Sequence, residues 1–373
     1  MKVPERYRAG IARYTADDAD DLLEFQLRMF QPGSRQVDAG RAAWLYDDNP
    51  YRTDRQTRDV WVCRREGKVV GQQAQIPFDL RVGDQVRRAA WGIDLMVDPA
   101  WRLKGVGPGL LSTLRGAHPI VLGLNLSEKG YSTVIRDGWS DLGIVPVYLR
   151  ALDLARAARS GGVGPRLARV APVAGPVLRA LDATATGAMR VVGARLVPVD
   201  RFDERSDEVW QAAAAHYPIL AHRDLQAVHW RIDQRPDRDK LSRYYLVVRG
   251  RTVGYVVLRP AGTADAPTVV VVDYLAPPRW VTRLLVAAGR AARRGGAVAM
   301  SVKTRNVPAD RALRAAGFVR RERGSDDPIH FVVACADDED VTPQVSDPDA
   351  WFVTSADSDL EYATSPAAVP VAP

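Results

Sequence analysis

One segment of the chain places glycines and cationic side chains directly after an apolar run. The run Ala90–Val97 has the composition of a buried strand and Pro99 ends it. A loop with Arg102, Lys104 and three glycines follows, and then the apolar stretch Leu110–Leu114. A strand, a glycine loop and a helix start leave backbone N–H groups without a partner inside the helix, and the helix dipole adds positive potential there. The segment therefore predicts a cradle for a pyrophosphate group.

This predicted cradle differs in spacing from other phosphate-binding loops. A dinucleotide-binding loop would need Gly-x-Gly-x-x-Gly, and a P-loop would need Gly-Lys-Ser/Thr after four spacer residues; neither is present. An ordinary glycine-rich connection is the alternative interpretation. Because glycine lets the backbone approach a ligand without an intervening Cβ atom, we expect the ligand to contact the whole loop, which is Arg102, Leu103, Lys104, Gly105, Val106, Gly107, Pro108 and Gly109.

The pattern Arg-x-x-Gly-x-Gly from Arg102 to Gly107, a few residues after a strand, resembles motif A of the GNAT superfamily of acyl-CoA-dependent N-acyltransferases. In that superfamily the loop holds the pyrophosphate of coenzyme A. The backbone of the preceding strand grips the pantetheine arm and the thioester carbonyl. The resemblance implies that acetyl-CoA, or another acyl-CoA, is the co-substrate and that its arm contacts Leu95, Met96 and Val97.

A second stretch, Ser127–Trp139, resembles the pattern Asn-x-x-Ala-x-x-x-Tyr-x-x-x-Gly-Phe of the same superfamily. The resemblance implies that Ser127 hydrogen-bonds the cofactor arm. Val134 stands where the family often has the tyrosine that protonates the leaving thiolate, and valine has no proton to give. Tyr131, one helical turn earlier, is the predicted substitute. Simple packing of this tyrosine is the alternative.

The reaction also needs a proton acceptor, because an amine must be deprotonated before it attacks a thioester. A carboxylate can take this proton if its pKa is raised toward the working pH. Asp94, on the strand beside the expected thioester, is the first candidate, and Glu128, Asp137 and Asp141 are others. A structural role for Asp94 is the alternative, and orientation of the reactants alone could supply most of the rate.

The second half of the chain repeats the first. Asp273–Trp280 echoes Asp94–Trp101, and Gly317-Phe318 echoes Gly138-Trp139, both at an offset of 179 positions. Such matches at one offset predict two copies of one fold. In the second copy the segment Val281–Ala288 replaces the glycine loop, and its branched side chains would exclude a pyrophosphate. We therefore expect a single acyl-CoA site, in the first copy.

The order of the predicted elements indicates an α/β (α+β) fold of two tandem GNAT domains, each with a mixed central sheet flanked by helices. The predicted boundaries are 1–152 for the acyl-CoA-binding domain, 153–200 for a helical connector, 201–362 for a degenerate GNAT domain and 363–373 for a disordered tail. Within the first domain, Val145–Leu149 is predicted to be the closing strand.

Three further residues are candidates for substrate binding. Trp44, Asn49 and Asp357 belong to aromatic-plus-polar segments that resemble GNAT proteins encoded among polysaccharide and amino-sugar biosynthesis functions. A sugar ring can pack on a tryptophan face, and a carboxylate can accept hydrogen bonds from hydroxyl or ammonium groups. The alternative is that the tryptophans anchor domain packing and that the aspartates belong to a solvated tail.

Composition restricts the class of protein. The 373 residues are 46% hydrophobic and 26% charged, as in folded soluble proteins. The net charge is +7, but the arginines are scattered, so we expect no nucleic-acid partner. Cys63 and Cys335 match no metal-ligand spacing, so we expect no metal and a reducing compartment. No stretch reaches the roughly 20 apolar residues of a membrane span, so we expect no membrane partner and a cytoplasmic location.

Three functions fit these patterns. The first is an acetyl-CoA-dependent N-acyltransferase that acts on a small-molecule amine, an amino sugar among the candidates. The second is a Fem-type aminoacyl transferase, which also pairs two GNAT folds but takes its acyl group from charged tRNA. The third is a non-catalytic scaffold that binds acyl-CoA or has lost it. The glycine loop favours the first, since a tRNA donor offers no pyrophosphate to cradle.

Overall fold

The computed structural model describes residues 4–30, 33–52, 54–159, 193–321, 328–336 and 338–360. Within them the α-helices are Glu5–Arg8 (α1), Ala19–Met29 (α2), Ala39–Ala42 (α3), Val106–Ala117 (α4), Glu128–Arg136 (α5), Leu154–Arg159 (α6), Arg205–Ala213 (α7), Leu225–Val228 (α8), Pro278–Arg294 (α9), Val307–Ala315 (α10) and Thr342–Val345 (α11).

The strands are Ile11–Arg13 (β1), Val60–Arg65 (β2), Lys68–Val82 (β3), Gln85–Val97 (β4), Ile120–Leu124 (β5), Ser140–Ile144 (β6), Val147–Ala151 (β7), Ala194–Val199 (β8), Ile219–Ala221 (β9), Ser242–Val248 (β10), Arg251–Gly262 (β11), Pro267–Leu275 (β12), Ala299–Asn306 (β13), Val319–Arg320 (β14), His330–Cys335 (β15) and Trp351–Thr354 (β16). They form one mixed sheet. The predicted α/β class, with a mixed sheet flanked by helices, is confirmed.

Turn residues fix the register of the first-half sheet. Glu66 and Gly67 join β2 to β3 with φ angles of 52° and 78°, the left-handed conformation that a two-residue hairpin requires. Gly83, with φ of 57°, turns β3 into β4. Helix α2 buries Leu22 and Phe25 against the core of this half, as its amphipathic pattern predicts.

The two halves exchange one strand each. Strand β15, from the second half of the sequence, lies between β5 and β6 of the first half, with Phe331 opposite Leu124. Strand β7, from the first half, lies between β13 and β14 of the second, with Val147 opposite Lys303. The prediction that Val145–Leu149 closes the first half is therefore wrong. An apolar strand pattern specifies a buried strand but not the sheet that it joins.

The same register recurs in the two halves. Ala89 lies opposite Ile120 in the parallel pair β4–β5, and Thr268 lies opposite Ala299 in the parallel pair β12–β13. Both residues of the second pair follow those of the first by 179 positions, the offset found in the sequence. The predicted domain boundaries remain predictions, and most of the connector and the whole tail lie outside the described residues.

Two tryptophans join the halves through a reciprocal contact. Trp44 and Trp230 each lie in a π-helix, Ala43–Asp47 and His229–Asp233. The indole N–H of Trp44 donates to the carbonyl oxygen of Trp230 at 2.8 Å, and that of Trp230 donates to the carbonyl oxygen of Trp44 at 2.9 Å. Both donors are satisfied inside the protein, so the pair can be buried at little cost. Among the helices of the described residues, none has the length and apolar character needed to cross a membrane.

Candidate active site

A V-shaped gap opens between β4 and β5. These strands pair only from Ala89–Trp91 to Ile120–Leu122 and then diverge. On its other side β4 stays paired with β3 as far as Val97. Within the described residues, no strand pairs with the β5-facing side of Leu95–Val97. The gap therefore offers backbone N–H and C=O groups to a ligand that runs alongside β4.

A β-bulge lies inside this gap, just beyond the point where β4 and β5 diverge. Ile93 lies opposite Ala74 and Met96 opposite Gln72, so Asp94 and its neighbour Leu95 face a single residue of β3. Asp94 has a φ angle of 53°, a left-handed backbone conformation that residues other than glycine rarely adopt. This conformation turns its carbonyl oxygen to the side-chain amide of Gln72, which donates at 3.2 Å. The bulge thus re-aims the strand where the predicted thioester would lie.

The Asp94 carboxylate is buried and already has several partners. The guanidinium of Arg41 lies 3.0 Å from it and 2.6 Å from the carboxylate of Asp359. Gln36 donates to Asp94 at 3.1 Å and the Tyr46 hydroxyl at 3.4 Å. Burial disfavours the charge on Arg41, but the carboxylates of Asp94 and Asp359 outweigh this effect and raise the pKa of Arg41. Protonating Asp94 would break a buried ion pair, so the geometry favours the structural alternative for this residue. Its role as a base remains a prediction.

The glycine loop runs from the end of β4 to the start of α4. Arg102 donates from Nε to the carbonyl oxygen of Val97 at 3.1 Å, and the Lys104 ammonium lies 4.8 Å from the centre of the Trp101 ring. Leu103 is fully exposed, with a φ angle of 62°. These contacts hold two cations at the mouth of the gap.

Helix α4 begins at Val106, after Gly105 at a φ angle of 85°. The first hydrogen bond of the helix joins the N–H of Gly109 to the carbonyl oxygen of Gly105 at 3.0 Å. The N–H groups of Val106 and Gly107 precede it and Pro108 has none, so two donors are left at the helix start. A Cβ atom on Gly107 would meet only Val97 Cγ2, at 3.9 Å. Gly107 therefore leaves open space for a ligand.

Gly105 and Gly109 are crowded by the protein itself. A Cβ atom on Gly105 would lie 2.3 Å from the Tyr7 ring, and one on Gly109 would lie 2.1 Å from the Tyr7 carbonyl oxygen. The sequence pattern predicts that all three glycines make room for a pyrophosphate. At these two positions the structure supplies a different close neighbour, α1.

Helix α5 begins on the far side of the gap. Ser127 caps it, with its side-chain oxygen accepting from the N–H of Gly130 at 3.2 Å, which leaves its hydroxyl proton for donation. The ring of Tyr131 stacks on His330 with centroids 3.9 Å apart, and its hydroxyl donates to Asp141 at 2.8 Å. This hydrogen bond raises the pKa of Tyr131. Asp141 lies on β6, three strand spacings or roughly 14 Å from β4. Tyr131 would have to leave Asp141 to reach the gap, and its role as an acid remains a prediction.

The three predicted substrate-binding residues lie in the interior. Trp44 packs on Trp230 with ring centroids 5.8 Å apart. Asn49 donates to the carbonyl oxygen of Pro77 at 3.0 Å and accepts from the N–H of Tyr51. Asp357 is 1% exposed and is held by two arginines. These contacts support packing and hydrogen-bonding roles and leave no surface for a sugar. A role of these three residues in substrate binding remains a prediction, and their burial favours the packing alternative.

The corresponding gap in the second half is filled. Strand β16 pairs with Thr304–Asn306, the part of β13 that lies beyond its pairing with β12. It also contacts β12, because Thr354 donates to Asp273 at 2.7 Å and the ring of Phe352 lies 5.3 Å from that of Tyr274. Helix α9 begins directly after β12, at Pro278, in place of a glycine loop. The chain itself therefore occupies the space that stays open in the first half.

The sequence matches one family model in part, and the fold resembles several solved structures. Residues 10–116 match the family model described as the acetyltransferase (GNAT) domain. No curated protein matches the sequence. A GCN5-related N-acetyltransferase from Anabaena variabilis has a TM-score of 0.58 at 14% identity, over 87% of this chain and 72% of that one. A probable N-acyltransferase from Enterococcus faecalis has a TM-score of 0.57 at 11% identity, over 87% and 72%.

The N-myristoyltransferase of Saccharomyces cerevisiae, solved with bound myristoyl-CoA, has a TM-score of 0.51 at 11% identity, over 87% of this chain and 82% of that one. At such identities the solved structures show a shared fold. The family match covers β4, the glycine loop and most of α4. Residues 10–116 thus match a GNAT acetyltransferase domain, and the chain as a whole shares the fold of these solved acyltransferases.

Proposed function

We propose that this chain, through its GNAT acetyltransferase domain, is an acyl-CoA-dependent N-acyltransferase that uses acetyl-CoA to acylate a small amine. An amino sugar is one candidate acceptor. The donor site is the gap between β4 and β5 with the glycine loop at its mouth. The single observation that carries the proposal is that this gap is open in the first half, whereas β16 fills its counterpart in the second.

The residues around the gap fit the parts of an acyl-CoA molecule. The N–H groups of Val106 and Gly107, with the charges of Arg102 and Lys104, suit a pyrophosphate. The free backbone edge of Leu95–Val97 suits the amide groups of a pantetheine arm. Ser127 has a hydroxyl proton to donate from the other side of the gap.

The proposed reaction is direct transfer. The neutral amine attacks the thioester carbonyl, the C–N bond forms, and the C–S bond breaks with its electron pair on sulfur. The amine loses one proton and the thiolate gains one. Holding both reactants in the gap supplies much of the rate, because a bimolecular step becomes effectively unimolecular. Asp94 and Tyr131 remain the proposed proton carriers, although each must first leave its present partner.

A thiol-release assay with acetyl-CoA and a panel of amines, including amino sugars, tests the function. We expect release of coenzyme A that depends on an added amine, and binding of coenzyme A but not of charged tRNA in calorimetry. Release without an amine requirement, or none with any amine, would contradict a transferase. Binding of charged tRNA alone would instead favour a Fem-type aminoacyl transferase, and binding of coenzyme A without turnover would favour a scaffold.

A further inference from the structure

The short helix α1 lies across the start of α4 in unusually close contact. A Cβ atom on Gly105 would lie 2.3 to 2.5 Å from three ring atoms of Tyr7, so the ring rests directly on the backbone of the loop. A Cβ atom on Gly109 would lie 2.1 Å from the Tyr7 carbonyl oxygen. Real Cβ atoms do not come this close, so only glycine fits at either position.

Further contacts hold α1 in this place. Arg8 donates from Nη2 to the hydroxyl oxygen of Ser112, one and a half turns into α4, at 2.6 Å. The N–H of Arg64 donates to the carbonyl oxygen of Gly10 at 2.7 Å, and β1 then pairs with β2. The Arg6 guanidinium lies 5.4 Å from the centre of the Tyr7 ring. Residues 8–13, directly after Tyr7, are thus fixed to α4 and β2, and they hold the ring of Tyr7 against the loop.

The contact falls on the residue that sets the direction of the loop. Gly105 has a φ angle of 85° and directly precedes the two N–H donors of α4. Glycine adopts positive and negative φ about equally readily, so a free loop would sample several conformations. A flat ring packed on one face of Gly105 removes that choice. The donors of Val106 and Gly107 then point in one direction before any ligand binds.

Resting on the proposed function, we infer that Tyr7 is a positioning residue of the acyl-CoA site: its ring fixes Gly105 so that the start of α4 is preorganised for the pyrophosphate. Tyr7 acts through Gly105 and need not touch the ligand. Its loss should weaken recognition of the nucleotide portion, which carries the pyrophosphate, and leave recognition of the pantetheine arm intact. A merely structural role would affect both portions alike.

Calorimetry separates these outcomes with two probes, coenzyme A and adenosine 3′-phosphate 5′-diphosphate, which lacks the arm. We expect Tyr7→Ala to weaken both by about tenfold, the size expected when one residue must be ordered on binding. With S-acetylpantetheine as donor, thiol release should stay at the parent rate. Tyr7→Phe, which keeps the ring, should restore the affinity. If Tyr7→Ala does not fold, Tyr7→Leu provides the same comparison.

A pair of double-mutant cycles tests the contact itself. Gly105→Ala would clash with the Tyr7 ring, so Tyr7→Ala should relieve part of its effect on affinity. Gly109→Ala would clash with the Tyr7 backbone, which Tyr7→Ala retains, so that cycle should show no coupling. Parent-like binding of both probes by Tyr7→Ala, or equal slowing with both donors, would overturn the inference. Failure of the parent to bind coenzyme A would overturn the proposed function instead.

Discussion

The gaps of the two halves start from the same register and end differently. In the first half, the strand edge beyond Trp91 is left open beside a glycine loop. In the second half, β16 covers the matching edge. When the two halves are aligned by the repeat, α9 starts two helical turns before the position at which α4 starts. The buried aspartate at the end of the parallel strand is kept in both, paired with Arg41 in one half and Arg223 in the other. The two halves therefore share the strand register and the buried aspartate–arginine pair, and they differ in whether the gap beside the parallel strand is open.

The strand that fills the second gap also stabilises that half of the protein. Phe352 of β16 is almost fully buried in the core of the second half, and burial of such a side chain contributes about 1.5–3 kcal/mol. The backbone of Phe352–Thr354 also pairs with β13, which removes an exposed strand edge. The first half forgoes this stabilisation, which is consistent with a gap reserved for a ligand.

The largest expected effect tests whether the first half depends on its borrowed strand. Phe331 is fully buried, with ring centroids 6.0 Å from Trp91 and 5.1 Å from Trp351. Because alanine would leave a cavity, we expect Phe331→Ala to lower the free energy of unfolding by about 3–5 kcal/mol in urea titrations. Hydrogen exchange should rise in β4 and β5, in the other half of the sequence.

Phe318→Ala is the matched control, because Phe318 is equally buried but packs in the core of the second half. Its exchange should rise in β12 and β13. If Phe331→Ala loosened those strands while β4 and β5 stayed protected, the exchange of strands between the halves would be wrong.

The next effect tests whether only one half admits a pyrophosphate. Gly107 has open space at its Cβ position, so Gly107→Val should fold normally and weaken coenzyme A binding by about 100-fold, since the branched side chain would occupy the ligand's place. Calorimetry measures this loss. Gly105→Val is a poorer test, because it would also strain the backbone and displace Tyr7.

The matched control variant is Val286→Gly, at the position of the second half that corresponds to Gly107. Val286 is buried in α9, so its loss should destabilise the protein by about 2–3 kcal/mol and leave the affinity for coenzyme A unchanged. A fall in affinity with this variant would mean that the second half takes part in binding.

The smallest effect concerns a buried histidine that follows α4. His118 is 5% exposed, and the matching residue of the second half is the buried Ala297. Burial, with smaller contributions from Arg88 and Arg13, lowers the pKa of His118 to about 4. In the unfolded chain His118 binds a proton near pH 6.5, whereas in the folded protein it stays neutral down to about pH 4. The free energy of unfolding is therefore highest above pH 6.5 and decreases as the pH falls toward 4.

Unfolding titrations at pH 7 and pH 5 measure this contribution. We expect the parent to lose about 2 kcal/mol more than His118→Gln between the two, because glutamine does not titrate. Parallel pH profiles of the two proteins would show that His118 is not the group responsible.

Local spacing was enough to predict the α/β class and to locate the glycine loop, and a constant offset of 179 positions revealed the register that recurs in the two halves. Strand exchange could not be found in this way, since β7 and β15 have the same apolar pattern whichever sheet they join. The contact of Tyr7 with Gly105 and Gly109 joins residues about 100 positions apart. The one available signal was Gly109, a glycine inside a helix that needs a packing reason.

The polar site residues were the hardest to assign. Asp357 and Asp94 have residue types suited to chemistry, yet both lie in buried pairs with arginines. Sequence cannot distinguish a carboxylate held by an arginine from one facing a cleft, because the arginine comes from a distant part of the chain. No motif marked Arg41, and the segment that contains Arg223 gave no sign that this arginine would pair with Asp273 and Asp357.

The exchanged strands also constrain how the protein is made. Strand β5 meets its neighbour β15 only after about 210 further residues have been added to the chain. At roughly 5–20 residues per second, the ribosome needs on the order of 10–40 seconds to supply them. Throughout that interval the nascent first half exposes an apolar strand edge, which should make it a client for chaperones during translation.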